Sequence, residues 1–239
     1  MRKPSAERLI DFLDTAVRLF IAKGYRRTQM SDVTEALGLS AGSIYRYFES
    51  KQALFDLALR HAVAPRELGD PVLPHPTPPK GATLDFLREM LAVHARIESL
   101  EAALAAGPAG DPRGELEGIV RELYARTSRH RHALNLVERC ALDRPDLAVL
   151  WFEETRRRII RQLESYLEDR SRRGFLRPLP DALAVAGLIV EVVVFQAVRR
   201  LEDPYPTPMD EATAEETAVD NIVHAYLAGP EAKPRSSGS

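Results

Sequence analysis

The chain has 239 residues, 45% of them apolar and 28% charged, with a formal net charge of −2; that composition buries a core and excludes a disordered chain. One cysteine, Cys140, excludes a disulfide framework and any multi-cysteine zinc or iron–sulfur site. The near-neutral total conceals a positive end: residues 1–60 carry ten Lys and Arg against seven Asp and Glu, a hint of a polyanion partner for that end alone.

The opening segment starts with basic residues, but Asp11, Asp14 and Arg18 interrupt it, so it reads as a helix and not as a signal peptide. Leu9, Leu13, Ala16, Val17 and Phe20 form its apolar stripe, and Lys23-Gly24 ends it. Residues 28–55 then parse as three short helices. Ser31 is placed to cap Asp32–Leu37, Gly38 supplies a positive-φ turn, Ser40 caps Ala41–Phe48, and Ser50 caps a helix beginning at Lys51. Val33, Leu37, Leu39, Ile44, Phe48, Leu54 and Phe55 are its expected core.

Six prolines between Pro65 and Pro79 forbid a helix there. The predicted organisation is an N-terminal helical unit over 1–65, an extended connector over 66–81, a larger helical domain over 82–228 and a flexible tail over 229–239. Helical periodicity continues through Thr83–Ala106, Gly114–Ser128, His130–Leu142, Asp146–Arg173, Pro180–Leu201 and Asp210–Leu227, interrupted at Gly107-Pro108, Asp143–Pro145, Gly174 and Asp203–Pro208. No stretch alternates as a strand, so the fold class is all-α. The apolar run Ala182–Val198 contains Glu191 and Gln196 and reads as a buried core helix, about one turn short of a membrane span. The chain is expected to be cytoplasmic and to engage no membrane.

Two short helices joined by a glycine turn form a helix-turn-helix, whose second helix enters the major groove. Ala41, Gly42 and Ser43 are small enough to let that helix approach a duplex closely. Thr28, Tyr47 and Lys51 suit phosphate contacts, Ser40 stands at the start of the helix, and base reading falls to Ser43 and Tyr45, with Gln29 and Arg46 as further candidates.

Thr28, Met30, Val33, Gly38-Leu39-Ser40, Gly42-Ser43-Ile44-Tyr45, Tyr47-Phe48 and Lys51, in that order and spacing, resemble the DNA-binding domain of the TetR family of bacterial transcriptional regulators. The likeness covers about residues 8–60. Thr34 and Leu37 depart from it, standing where the family typically has small alanines; the Thr34 hydroxyl must bond locally. The resemblance implies a homodimeric regulator, usually a repressor, that binds a palindromic operator in double-stranded DNA and is released by a small-molecule effector in the C-terminal domain. Dimerisation would run through the last two helices, about 180–201 and 210–228, the second offering Ala214, Ala218, Ile222, Ala225 and Tyr226 as a packing face. The first could equally be the centre of a monomeric bundle.

In the larger domain, His94 reads as a core histidine or a pocket residue, and Trp151 beside Glu154 as core or as a pocket wall. Glu191, an acid in an apolar helix, must be paired, neutralised or facing water: it could meet an arginine such as Arg121 or Arg158, cross a subunit interface or bind a cationic ligand. Cys140 reads as a small buried hydrophobe. No phosphate loop, nucleophile elbow, metal-binding helix or carboxylate pair is present, so neither an enzyme nor a cofactor or metal is expected. A hydrophobic or amphipathic effector suits the long apolar helices. The rival readings are a helical binding protein or enzyme with a vestigial helix-turn-helix, and a DNA-binding activator or constitutive binder.

Overall fold

The computed structural model describes residues 5–64, 68–69, 71–106 and 110–228. Pro65, the Gly107-Pro108 break and the 229–239 tail lie outside the described residues. Eleven α-helices occur among those described: α1 Ala6–Arg27, α2 Met30–Ala36, α3 Lys51–Val63, α4 Ala82–His94, α5 Glu98–Ala106, α6 Pro112–Arg129, α7 Arg131–Ala141, α8 Pro145–Ala148, α9 Arg157–Arg172, α10 Ala182–Ala197 and α11 Glu211–Tyr226. No strand forms among them, only isolated bridges pairing Phe48 with His75 and Leu176 with Leu227.

The chain divides into two compact units, one of residues up to 92 together with 132–153, the other of 93–131 together with 154 onward. The first has an aromatic core. Phe12, Phe20, Phe48 and Phe55 are enclosed, with Phe12 and Tyr47 ring centroids 4.9 Å apart and Phe20 meeting Phe55 edge-on at 5.2 Å. Leu136, Val137, Cys140, Leu147, Leu150 and Trp151 complete this core. Residues 132–153, which the proline-based division assigns to the larger domain, therefore pack with the N-terminal helices. Burial pushes the Cys140 thiol up to about 12, so it behaves as the small hydrophobe anticipated.

The proline segment is extended, but it is no free linker. The His75 N–H donates to the Tyr47 carbonyl at 2.7 Å and the Glu49 N–H to the His75 carbonyl at 3.0 Å. The Thr77 N–H donates to the Glu49 carboxylate at 2.9 Å. Beneath it lies the buried carboxylate of Asp56 on α3, which accepts hydrogen bonds from Thr83 at 2.7 Å and Arg60 at 2.8 Å and lies 3.3 Å from His75 Nε2. Burial raises the pKa of Asp56, and the bonds from His75, Arg60 and Thr83 outweigh it, leaving the group at about 2.

In the second unit α10 buries Val185, Ala186, Ile189, Val190, Val193 and Ala197. Its centre also holds a cation. Arg170 is 2% exposed, pairs with Glu115 at 2.7 Å and Asp169 at 2.5 Å, and donates to the Ala103 carbonyl at 2.8 Å. It thereby ties α9 to α5 and α6.

Two long helices expected from periodicity are interrupted. Thr83–Ala106 breaks between α4 and α5, where the Glu122 carboxylate accepts from the Glu98 and Ser99 N–H groups at 2.9 and 2.8 Å. That acceptor does for the start of α5 what the preceding turn would otherwise do. Asp146–Arg173 is wound in three pieces, with a π-helical stretch over Val149–Arg156 between α8 and α9. The wider π turn changes the facing of residues on either side, which a uniform 3.6-residue reading does not register. α10 itself is only partly enclosed: Leu188 and Phe195, seven residues apart on one face, are 54% and 55% exposed. Length and composition alone would also suit 182–201 to a membrane, but its other face is buried among α6, α9 and α11.

Candidate nucleic-acid interface

The segment from Gln29 to Lys51 begins where α1 ends. Gly24, at φ 81° and ψ 170°, breaks the helical geometry of α1 where Lys23-Gly24 was expected to end it, and helical turns resume beyond the kink to Arg27. α2 starts two residues earlier than Ser31 would place it, with Gln29 as the N-cap residue and the Asp32 carboxylate accepting the Gln29 N–H at 2.7 Å. Gly38 takes φ 64°, with open space where a Cβ would stand. This is the turn that its position requires. The Thr34 hydroxyl bonds locally, to the Ser31 carbonyl at 2.9 Å, and Ser50 caps α3 by accepting from the Ala53 N–H at 3.2 Å.

The second helix of the motif is shorter than Ala41–Phe48. Only Ile44–Arg46 forms a regular turn, of the tight 3-10 kind, between looser turns. Local chemistry accounts for this. Ser43 turns its hydroxyl back on the Ser40 carbonyl at 2.7 Å instead of capping forward, and Gly42 adds backbone entropy that an isolated short helix does not recover. Ile44, Tyr47 and Phe48 point into the core. Ser40, Ala41, Gly42 and Tyr45 are exposed, and Ser43 and Arg46 are half-buried. Tyr45, at 56% exposure, is the large aromatic of this face. Gln29 is exposed beside the start of α2.

Three residues expected on phosphates face elsewhere. Thr28 is fully buried, and its hydroxyl donates to the Gly24 carbonyl at 2.7 Å and the Leu19 carbonyl at 3.2 Å, sealing the kink. Tyr47 is 7% exposed, and its phenol oxygen accepts the Ser5 N–H at 3.2 Å at the start of α1. The Lys51 ammonium donates to the Arg26 carbonyl at 3.1 Å and lies 4.5 Å from the Tyr25 ring centroid. Burial lowers its pKa, partly opposed by the Asp143 carboxylate. Of the residues expected at a duplex, Gln29, Ser40, Ala41, Gly42 and Tyr45 are exposed, and Ser43 and Arg46 are half-buried.

The four effector candidates divide between the two units. Trp151 packs in the first unit's core and donates its indole N–H to Glu138 at 3.2 Å, the core reading of that residue. In the second unit His94 is half-buried with its ring centroid 4.5 Å from that of His130. Glu154 is exposed there. Glu191 is paired with Arg156 and with Arg199, the latter at 3.0 Å, in place of Arg121 or Arg158. A cleft of about 460 Å³ in the first unit, between α3, the proline segment and α4, is lined by none of them. No cluster of three or more metal-ligating side chains occurs among the described residues. Asp56 was missed by sequence reasoning, although an acid between Phe55 and Leu57 in a helix apolar on that face was a usable signal.

Comparison with known proteins gives this geometry a context. Residues 12–58 match the model of bacterial regulatory proteins of the tetR family. The HTH-type transcriptional repressor KstR2 of Rhodococcus jostii (strain RHA1) is 40% identical over 53 residues, 22% of this chain; the match spans about a quarter, 26%, of that relative's length. Among solved structures, the ketosteroid transcriptional regulator KstR2 of Mycobacterium tuberculosis superposes with a TM-score of 0.54 at 16% identity, covering 95% of this chain and 98% of that one. A tetR-family regulatory protein from Rhodococcus RHA1 gives 0.51 at 16% identity over 94% and 100%. These distant likenesses speak to the fold alone. Over residues 12–58 the chain carries a segment similar to the helix-turn-helix domain of the tetR family of bacterial regulatory proteins.

Proposed function

We propose that the protein is a transcriptional regulator, acting as a repressor, that binds a palindromic operator as a homodimer and leaves it when a small molecule occupies the helical domain. The observation that carries this reading is the outward face of the 40–46 turn: small residues at Ala41 and Gly42 beside an exposed Tyr45 and a half-exposed Arg46. Small residues permit close approach, and a flanking phenol and guanidinium supply the base-edge contacts that discriminate sequence. Arg46 has no carboxylate partner among the described residues, so its charge is available to DNA.

Dimerisation is supported by α10. Ala184, Leu188 and Phe195 follow one another at helical spacing on its exposed side, an apolar stripe that a second copy would cover. α11 contributes less than its sequence suggests. Ala214, Ala218 and Ile222 are spent on the unit's own core, and Thr213, Thr217, Asp220, Asn221 and His224 form the outer face. A two-fold pair places two recognition turns on one side of a duplex, about one helical turn apart.

Support for an effector comes from architecture. AibR, solved with isovaleryl coenzyme A and operator DNA, superposes over 91% of this chain with a TM-score of 0.50 at 16% identity. A hydrophobic or amphipathic effector fits the apolar helices of the second unit. Selection of bound duplexes from random DNA, followed by displacement titrations with a panel of such molecules, tests both halves. A symmetric consensus released by one class of molecule is the expected result, and recovery of no consensus would refute the reading.

A further inference from the structure

The kink at Gly24 deprives the end of α1 of regular helical partners, and its backbone groups take others. Side chains supply them. The Ile21 carbonyl accepts from Arg139 Nε at 3.1 Å, the Lys23 carbonyl from Arg27 Nε at 2.9 Å, the Gly24 carbonyl from Thr28 at 2.7 Å and the Arg26 carbonyl from Lys51 at 3.1 Å. Beyond the kink the Arg26 N–H donates to Asp143 Oδ2 at 2.7 Å. Two of the residues serving this short stretch, Arg139 and Asp143, come from a segment more than a hundred residues away in sequence.

The fit is close. A Cβ on Gly24 would come within 2.8 Å of the Asp143 carboxylate. Arg144 adds its guanidinium 4.9 Å from the Tyr25 ring centroid, a ring that Lys51 also covers. The second oxygen, Asp143 Oδ1, is enclosed and has no hydrogen-bond partner among the described residues. The next residues in the chain, Thr28 and Gln29, turn into α2.

We propose that residues 132–153 are a working part of the DNA-reading unit and that Asp143 is its positioning residue. By holding the Arg26 N–H it fixes the direction in which the chain turns into α2, and with it the placing of Gln29, Tyr45 and Arg46 on the duplex. This rests on the DNA-binding reading above. It makes residues 1–65 an incomplete reader, because part of their geometry is set by a later segment.

The test uses the full chain, a duplex obtained by selection, and a base-scrambled duplex of the same length. Asp143→Asn keeps a carbonyl-type acceptor and should preserve the preference for the selected duplex within about threefold. Asp143→Leu removes the acceptor and should lower that preference about tenfold, leaving the thermal midpoint and binding to the scrambled duplex near those of the unaltered chain. If the Leu variant does not fold, Arg139→Met, which removes the donor to Ile21, should give the same split. Unchanged preference in the Leu variant overturns the proposal, as does a parallel loss on both duplexes with a fallen midpoint. No discrimination by the unaltered chain would refute the DNA-binding reading itself, and this proposal with it.

Discussion

Each of the two units is organised around one buried charge, but the charges are opposite in kind. In the first, the carboxylate of Asp56 gathers α3, the proline segment and α4 through Arg60, His75 and Thr83. In the second, the guanidinium of Arg170 gathers α5, α6 and α9 through the Ala103 carbonyl, Glu115 and Asp169. An acid that titrates makes its unit sensitive to pH, whereas an arginine stays charged throughout the accessible range. The cores around them differ too, with interlocked aromatic rings in one and short aliphatic side chains along α10 in the other. The aromatic unit carries the exposed 40–46 turn, and the aliphatic unit leaves an apolar face of α10 exposed.

The largest effect should come from removing the buried cation. Arg170→Ala strands Glu115 and Asp169 and opens a cavity, at a cost of about 3–5 kcal/mol of stability, measurable by urea unfolding. A loss below about 1 kcal/mol would show that the second unit does not depend on this centre. Next comes the uncovered helix. Phe195→Lys should weaken self-association by about 2–4 kcal/mol, read as a shift toward monomer in sedimentation equilibrium. An unaffected dimer would place the interface elsewhere.

Asp56→Ala should cost about 2–3 kcal/mol, since it leaves the enclosed Thr83 hydroxyl and His75 without their acceptor. The same group gives the first unit an acid limit. Its folded pKa of about 2 lies below the ordinary 3.8, so its stabilising contribution is complete above about pH 4 and disappears as pH falls through about 2. Acid titration of the unaltered chain and of Asp56→Ala should converge at the low end of that window. Curves that stay parallel would contradict the assignment. Smallest is Tyr45→Ala, which should relax preference at one position of each half-site by roughly 1–3 kcal/mol, seen by competition among duplexes varied at single positions.

Local signals were legible where the chemistry is local. Gly38 announces a positive φ, Ser50 announces a helix start, and Leu9, Leu13, Ala16, Val17 and Phe20 recur at a helical period and are all buried. What the sequence concealed depends on partners distant in the chain. Thr28 looks like a phosphate ligand until the kink at Gly24 presents an unsatisfied carbonyl for its hydroxyl. Lys51 looks free until the end of α1 offers it a carbonyl and an aromatic face. Trp151 reads as core or as a pocket wall, and no periodicity decides between them because it does not reveal that residues 132–153 pack with the N-terminal helices. The stretch 41–48 reads as a helix because its inward residues keep helical spacing, while Gly42 and the Ser43 hydroxyl loosen the backbone between them.

The central claim is that the Gln29–Arg46 face reads DNA sequence. Titration of the full chain against a selected symmetric duplex and its scrambled counterpart, at several salt concentrations, tests it most directly. Both affinities should fall as salt rises, with the selected duplex preferred by about a thousandfold or more at each concentration. Equal affinity for the two duplexes would contradict it.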